Sequence, residues 1–238
     1  MMLRLALTLA ICLALGGGSA DAWLIGGSGV PQKFVLGPHI ASQGFQNTTT
    51  PAIDTSGYGL IVLGIAYNAN GGFPTLSDSK SNTWLNASSG LIGLYEYGEL
   101  WYCSPCTVGA SHTFSITATT LAAPAIVAAA FSGVKTSSPY DQHNSNAAAS
   151  VNTLTTGSVT PTENSELVVH MVGVYASAPT TNVGAIVDQI AVTCPAGCKY
   201  GVALAYEAQT TATTRNATWN NGITNDLATG IATFKAAP

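Results

Sequence analysis

Three stretches of this chain are apolar at nearly every position: Gly59–Tyr67 (GLIVLGIAY), Ala125–Ser132 (AIVAAAFS) and Glu166–Tyr175 (ELVVHMVGVY). They are short and mostly rich in β-branched residues. Turn-forming residues bound them, so they read as strands buried on both faces. The segment His112–Thr119 alternates instead, with Phe114 and Ile116 on one face and Thr113, Ser115 and Thr117 on the other. Weaker strand signals fill the intervals. Lys33–Leu36 is a short first strand. A turn cluster, Asp78-Ser79-Lys80-Ser81-Asn82, precedes Thr83-Trp84-Leu85. Leu91–Tyr95 and Glu99–Cys103 flank a bend at Gly98, and Thr153–Thr160 is a polar edge. Tyr200–Ala208, Thr213–Asn220 and Ala228–Ala236 complete the series. Ala147-Ala148-Ala149 is expected to be a loop of small residues. Beyond residue 22 no stretch sustains a 3.6-residue period.

About ten to twelve strands at this spacing predict an all-β fold, an antiparallel two-sheet β-sandwich that is jelly-roll-like. We expect one domain over residues 23–238. The alternative is a pair of small sandwiches split near Ser137 to Ala149. The strongest buried strands fall on both sides of that segment, which favours one domain. A likeness between Ala125–Phe131 and Ala228–Phe234 hints at an internal repeat but is too short to establish one.

Residues 1–22 follow a different pattern. Met1-Met2-Leu3-Arg4 carries a positive charge, Leu5–Leu15 is apolar except for Thr8, and Gly16–Ala22 is small and ends Ala20-Asp21-Ala22. This order predicts a secretory signal peptide, helical in its apolar part, with Trp23 as the first mature residue. The apolar run is about half of what a membrane span needs, so no span is expected in the mature chain. Residues 23–35, opening on Gly26-Gly27-Ser28-Gly29, are expected to be a flexible N-terminal segment. The expected location is secreted or extracellular, at a cell surface or in a virion.

Composition narrows the function. Charged residues are 8% of the 238 and hydrophobic residues 47%, against about a quarter charged in ordinary domains. Disorder is therefore excluded, and the polar surface must come from Ser, Thr, Asn and Gln. A formal charge of −4 with basic residues scattered singly fits no nucleic-acid partner. Cys12 leaves with the leader. The four others, Cys103, Cys106, Cys194 and Cys198, read as two disulfides in an exported chain, with local pairing favoured over cross-pairing. A thiolate zinc site is disfavoured by that compartment and by the unequal spacings.

Candidate chemistry is sparse. Glu96 with Glu99 and Glu163 with Glu166 are carboxylate pairs spaced three apart, which places their side chains on opposite faces of a strand. Asp78, Asn82 and Asp54 have too few carboxylates around them for a calcium loop, and Asp78 is expected to close a turn. His39, His112, His143 and His170 lack ligand spacing. His170 is expected to be a core residue. Asp141 and His143 near Ser137 and Ser138 lack a nucleophile-elbow motif. We therefore assign no catalytic residue, metal or cofactor. One aromatic cluster, Tyr95, Tyr97, Trp101 and Tyr102, is a carbohydrate-binding candidate, because such rings stack on sugars. Asn47, Asn86 and Asn216 open N-glycosylation sequons.

Asp78-Ser79-Lys80-Ser81-Asn82-Thr83-Trp84, Leu100-Trp101-Tyr102 and His112–Thr117 occur here in that order. Ala130-Phe131-Ser132-Gly133-Val134, Ser138-Pro139-Tyr140-Asp141 and Ile231–Lys235 follow. Together the series resembles a loose group of jelly-roll β-sandwich modules found in secreted bacterial proteins and phage virion proteins. The resemblance implies a jelly-roll fold and a structural or binding role, and it brings no catalytic residues with it. The cysteine loops depart from the group's pattern. The expected function is a non-enzymatic building block of a cell surface, filament or virion. It would act by surface contact with other chains, expected to be copies of itself, with residues 23–35 available as a donor strand. The alternatives are a carbohydrate-binding, lectin-like module contacting glycans and, less favoured, a secreted glycan hydrolase.

Overall fold

The computed structural model describes residues 33–68, 73–92, 96–118, 122–175, 178–190 and 200–238; at 92, 96 and 97 it describes the backbone alone. The expected leader, most of residues 23–35, and Cys194 and Cys198 lie outside the described residues. Gln32–Pro238 forms one compact unit. Its described residues contain strands and no helix.

The first half of the unit contains β1 (Val35–Gln43), β2 (Thr48–Thr49), β3 (Leu60–Tyr67), β4 (Thr75–Asp78), β5 (Leu85–Ile92), β6 (Glu96–Cys103), β7 (Phe114–Thr117) and β8 (Ala125–Ser132). A five-stranded antiparallel sheet runs β1-β8-β3-β6-β5, and a small outer sheet runs β2-β7-β4. In a jelly roll the first, eighth, third and sixth strands share one sheet and the second, seventh and fourth the other. This half follows that order, with its fifth strand extending the larger sheet.

The second half repeats the plan with fewer breaks. It contains β9 (Tyr140–Thr155), β10 (Glu166–Tyr175), β11 (Thr180–Thr181), β12 (Ala185–Ile190), β13 (Tyr200–Ala208) and β14 (Thr218–Lys235). Its large sheet runs β14-β10-β13-β12, with β9 and β11 both paired to β14. The long strand β9 does the work of β1 and then β2. Likewise β14 does that of β7 and then β8, with register breaks between Asn220 and Leu227 where it turns from outer layer to main sheet.

The registers of the two halves match residue by residue. Leu60 pairs with Phe131 and Leu167 with Phe234. Val62 pairs with Tyr102 and Val169 with Tyr206. Leu36 lies opposite Phe131 as Tyr140 lies opposite Phe234. Strands β5 and β12 are each bulged at the same place, around Ala87 and Val187. Reciprocal backbone bonds join Ile53 to His112 in one half and Val159 to Arg215 in the other.

The two large sheets face one another across a shared core. Leu60, Val62, Leu100, Tyr102 and Phe131 from the first half meet Leu167, Val169, Leu204 and Phe234 from the second. Burying each such side chain contributes roughly 1.5–3 kcal/mol. The ring contacts across this core are reciprocal. Phe131 meets Tyr206 edge-on at 5.4 Å, and Tyr102 meets Phe234 edge-on at 5.3 Å. Residue i of one half touching residue j of the other, and j touching i, is the mark of a two-fold interface. Here it lies within a single chain.

This arrangement explains the near-continuous apolar runs. Each large sheet is covered on its second face too. Ile61, Leu63, Ile126 and Ala128 lie under Phe114 and Ile116 in the first half, while Val172, Val174 and Ala203 lie under Trp219 in the second. A strand covered on both faces has no solvent face on which polar residues would alternate.

Several sequence expectations need correction. Gly98 lies within β6 and not at a bend. Ala147–Ala149 belongs to β9, and β14 joins two segments expected to be separate strands.

Candidate functional site

The aromatic cluster does not form one platform. Trp101 and Tyr102 are consecutive in β6 and therefore point to opposite faces. Tyr102 is a core residue, 8% exposed, stacked on Tyr140 at 5.1 Å. Trp101 packs on the outer core and donates its Nε1–H to Glu99 Oε2 at 2.8 Å. Tyr95 and the side chain of Tyr97 lie outside the described residues. Cys103 and Cys106 form a disulfide with Cα atoms 5.4 Å apart. The three sequon asparagines are exposed, although Asn47 Oδ1 accepts the Ala118 N–H at 2.8 Å.

The first half holds a sealed polar network. Asp78 accepts the N–H of Lys80 at 2.7 Å, the N–H of Asn82 at 3.1 Å and the Trp84 Nε1–H at 2.7 Å. His112 Nε2 lies 3.0 Å from Asp78 Oδ1, and His112 Nδ1 lies 2.9 Å from the Thr55 hydroxyl. Burial holds the His112 ring below its ordinary pKa despite the Asp78 carboxylate. The neutral ring therefore donates to Asp78 through Nε2–H and accepts the Thr55 O–H at Nδ1. Thr55, His112 and the Asp78 side chain are fully buried. A threonine, a histidine and an aspartate in line resemble a nucleophilic triad in composition, but no substrate reaches a hydroxyl with no exposed surface. The network closes the turn after β4 and fixes it to β7. Sequence separations of 57 and 34 residues left it invisible to spacing.

The side chain of Glu96 lies outside the described residues, and Glu163 precedes β10, which Glu166 opens. Burial raises the Glu99 pKa against its hydrogen bonds from Trp101 and Tyr67. Glu163 is half-buried and bonded to Lys135 Nζ at 2.9 Å, whereas Glu166 is fully buried and accepts the Glu163 N–H at 3.0 Å. Around Glu166 a second cluster forms. Asp141 accepts the N–H and O–H of Thr162, both at 2.7 Å, and lies 3.2 Å from Lys235 Nζ. Burial keeps the Glu166 carboxyl above the usual range, and the neighbouring Asp141 adds to that. Asp141 stays below its usual range, because the bonds from Thr162, Lys235 and Glu166 outweigh its burial.

The remaining histidines have local partners. His170 is fully buried, with Nε2 3.4 Å from Glu207 Oε1. His39 of β1 reaches across to Asp188 of β12 at 3.1 Å, and His143 stacks on Tyr140.

The polar chemistry is thus turned inward, and the sheet margins face solvent. Strand β5 ends the first sheet with no partner on its outer side among the described strands. On it Leu85 and Leu91 are 49% and 46% exposed. Strand β12 ends the second sheet, with Ile186 exposed. No protein-family model matches the chain, and no curated protein or solved structure matches it.

Proposed function

We propose that this chain is an exported, non-enzymatic building block of a cell surface, filament or virion, associating with copies of itself through its sheet edges. The observation that carries the reading is the outer strand β5, an edge unpaired among the described strands that presents Leu85 and Leu91 to solvent. A strand edge offers a row of free N–H and C=O groups to a second chain. The Thr55–His112–Asp78 line is buried, and Asp141, Glu163 and Glu166 are occupied by neighbouring groups, which leaves no open site for catalysis among them. The Cys103–Cys106 disulfide is compatible with an oxidising compartment. The resemblance to modules of secreted and virion proteins points the same way. The segment Trp23–Val35 is the proposed donor strand.

Size-exclusion chromatography with light scattering, on the chain from Trp23 onward, tests this. The expected result is a mass above the monomer that falls toward the monomer on Leu91→Lys, since a lysine on an edge strand blocks pairing. A monomer at every concentration overturns the reading.

A further inference from the structure

The Lys235 cluster has a consequence that does not depend on how the chain assembles. Lys235, on the last strand, lies between two carboxyl groups carried by the strands on either side of it. Glu166 of β10 is its direct cross-strand partner, and Asp141 of β9 meets its Nζ at 3.2 Å. All three side chains project on the outer face of the second sheet. The Asp141 side chain is 4% exposed and that of Lys235 21%, while Glu166 is fully buried. Thr162 clamps both oxygens of Asp141. Glu166 Oε1 is occupied by the Glu163 N–H, Oε2 is buried without a hydrogen-bond partner, and the Thr233 hydroxyl and the Asp141 carboxyl are the polar neighbours of the group. A proton held on Glu166 bonds it to the neighbouring Asp141 carboxylate. The competing carboxylate, Glu163, lies 3.6 Å from Lys235 Nζ and is already held by Lys135.

We propose that Lys235 and Asp141 condense to an intramolecular amide, with Glu166 as the acid and base that carries the reaction. Nothing further is consumed. Within the ion pair a proton passes from the Lys235 ammonium to the Asp141 carboxylate, giving a neutral amine and a neutral acid. The Nζ lone pair attacks Asp141 Cγ while Glu166 gives its proton to the carbonyl oxygen. Glu166 then takes a proton from Nζ, gives it to the carboxyl oxygen that leaves as water, and recovers its own proton from the oxygen that stays as the amide C=O forms. The Nζ–Cγ bond forms, a Cγ–O bond breaks, and one water is released. Glu166 ends protonated, as it began. Burial favours the step because it replaces two charges with a neutral amide. Proximity favours it because the two groups are already in contact on strands held in register. The product ties β9, the first strand of the second half, to β14, its last.

The test is the intact mass of the purified chain under denaturing, reducing conditions. The expected mass is about 18 Da below that calculated from the sequence, one water. Digestion should yield a branched peptide joining the Asp141 and Lys235 segments. Lys235→Arg and Glu166→Gln should each restore the calculated mass. A native chain at full calculated mass, or a mass deficit that survives Lys235→Arg, overturns the proposal. The first of these outcomes needs no variant to fold.

Discussion

Single residues in this molecule are polar mainly where a neighbour requires it. Glu99 illustrates the cost. Its carboxyl is buried beside Trp101, and burial holds its pKa above the ordinary value of 4.5. Above pH 4.5 the unfolded chain ionises this group while the folded chain resists, so the folded state loses stability as pH rises through the folded pKa. Glu99→Gln keeps an acceptor for the Trp101 N–H and removes the charge. We expect thermal melts of this variant to show a higher midpoint than the native chain at pH 7 and an equal one at pH 4. A native chain that matches the variant at both pH values would remove the proposed penalty. The polar partners themselves were hidden from the sequence. Asp78 was legible as a turn former because its backbone partner Lys80 is two residues away. Its partner His112 is brought to it only by the pairing of β4 with β7, and the Lys235, Asp141 and Glu166 cluster likewise exists only once three strands align.

At the scale of elements, the central strands were legible and the margins were not. Ala125–Ser132, Glu166–Tyr175 and Tyr200–Ala208 form strands with those bounds. A sheet covered on both faces leaves a continuous apolar run, and its short length and bounding turn residues favour a strand over a buried helix. Strand β9 escaped because Asn, Ser and Ala carry little β-propensity. Its backbone pairing with β14 decides its conformation. Gly98 misled for a related reason. It suggests a bend, yet it sits in a regular strand because of what packs above it. A Cβ there would lie 2.9 Å from the Ala228 carbonyl oxygen and 3.0 Å from the Ala228 Cβ. Its cross-strand partner Gly90 is equally tight against the Asn146 carbonyl oxygen, at 2.8 Å. The two glycines let the β5–β6 margin close onto the second sheet. Gly98→Val should therefore destabilise the fold by about 1–3 kcal/mol through overpacking, read by urea denaturation. An unchanged midpoint would mean that the two sheets are further apart there than described.

At the scale of the whole molecule, the all-β, antiparallel class follows from strand number and spacing, and the jelly-roll order recurs in each half. The repeat itself was nearly illegible. Its best trace, Ala125–Phe131 against Ala228–Phe234, does mark equivalent strands, since Leu60 pairs with Phe131 as Leu167 pairs with Phe234. What the halves share is register and side-chain volume at inward positions, such as Leu100 with Leu204 and Tyr102 with Tyr206. Outward positions have diverged. The first half carries the Thr55–His112–Asp78 network, and the second carries His170 with Glu207 and the Lys235 cluster. Polar groups at such positions need only a local partner, so they change without disturbing the shared core. The whole account rests on the two halves meeting face to face in a pseudo-two-fold arrangement. Aromatic ring-to-ring nuclear Overhauser effects in a selectively labelled sample measure this directly. The account predicts both cross-peaks, Tyr102 with Phe234 and Phe131 with Tyr206; the absence of either from a folded, assigned spectrum contradicts it.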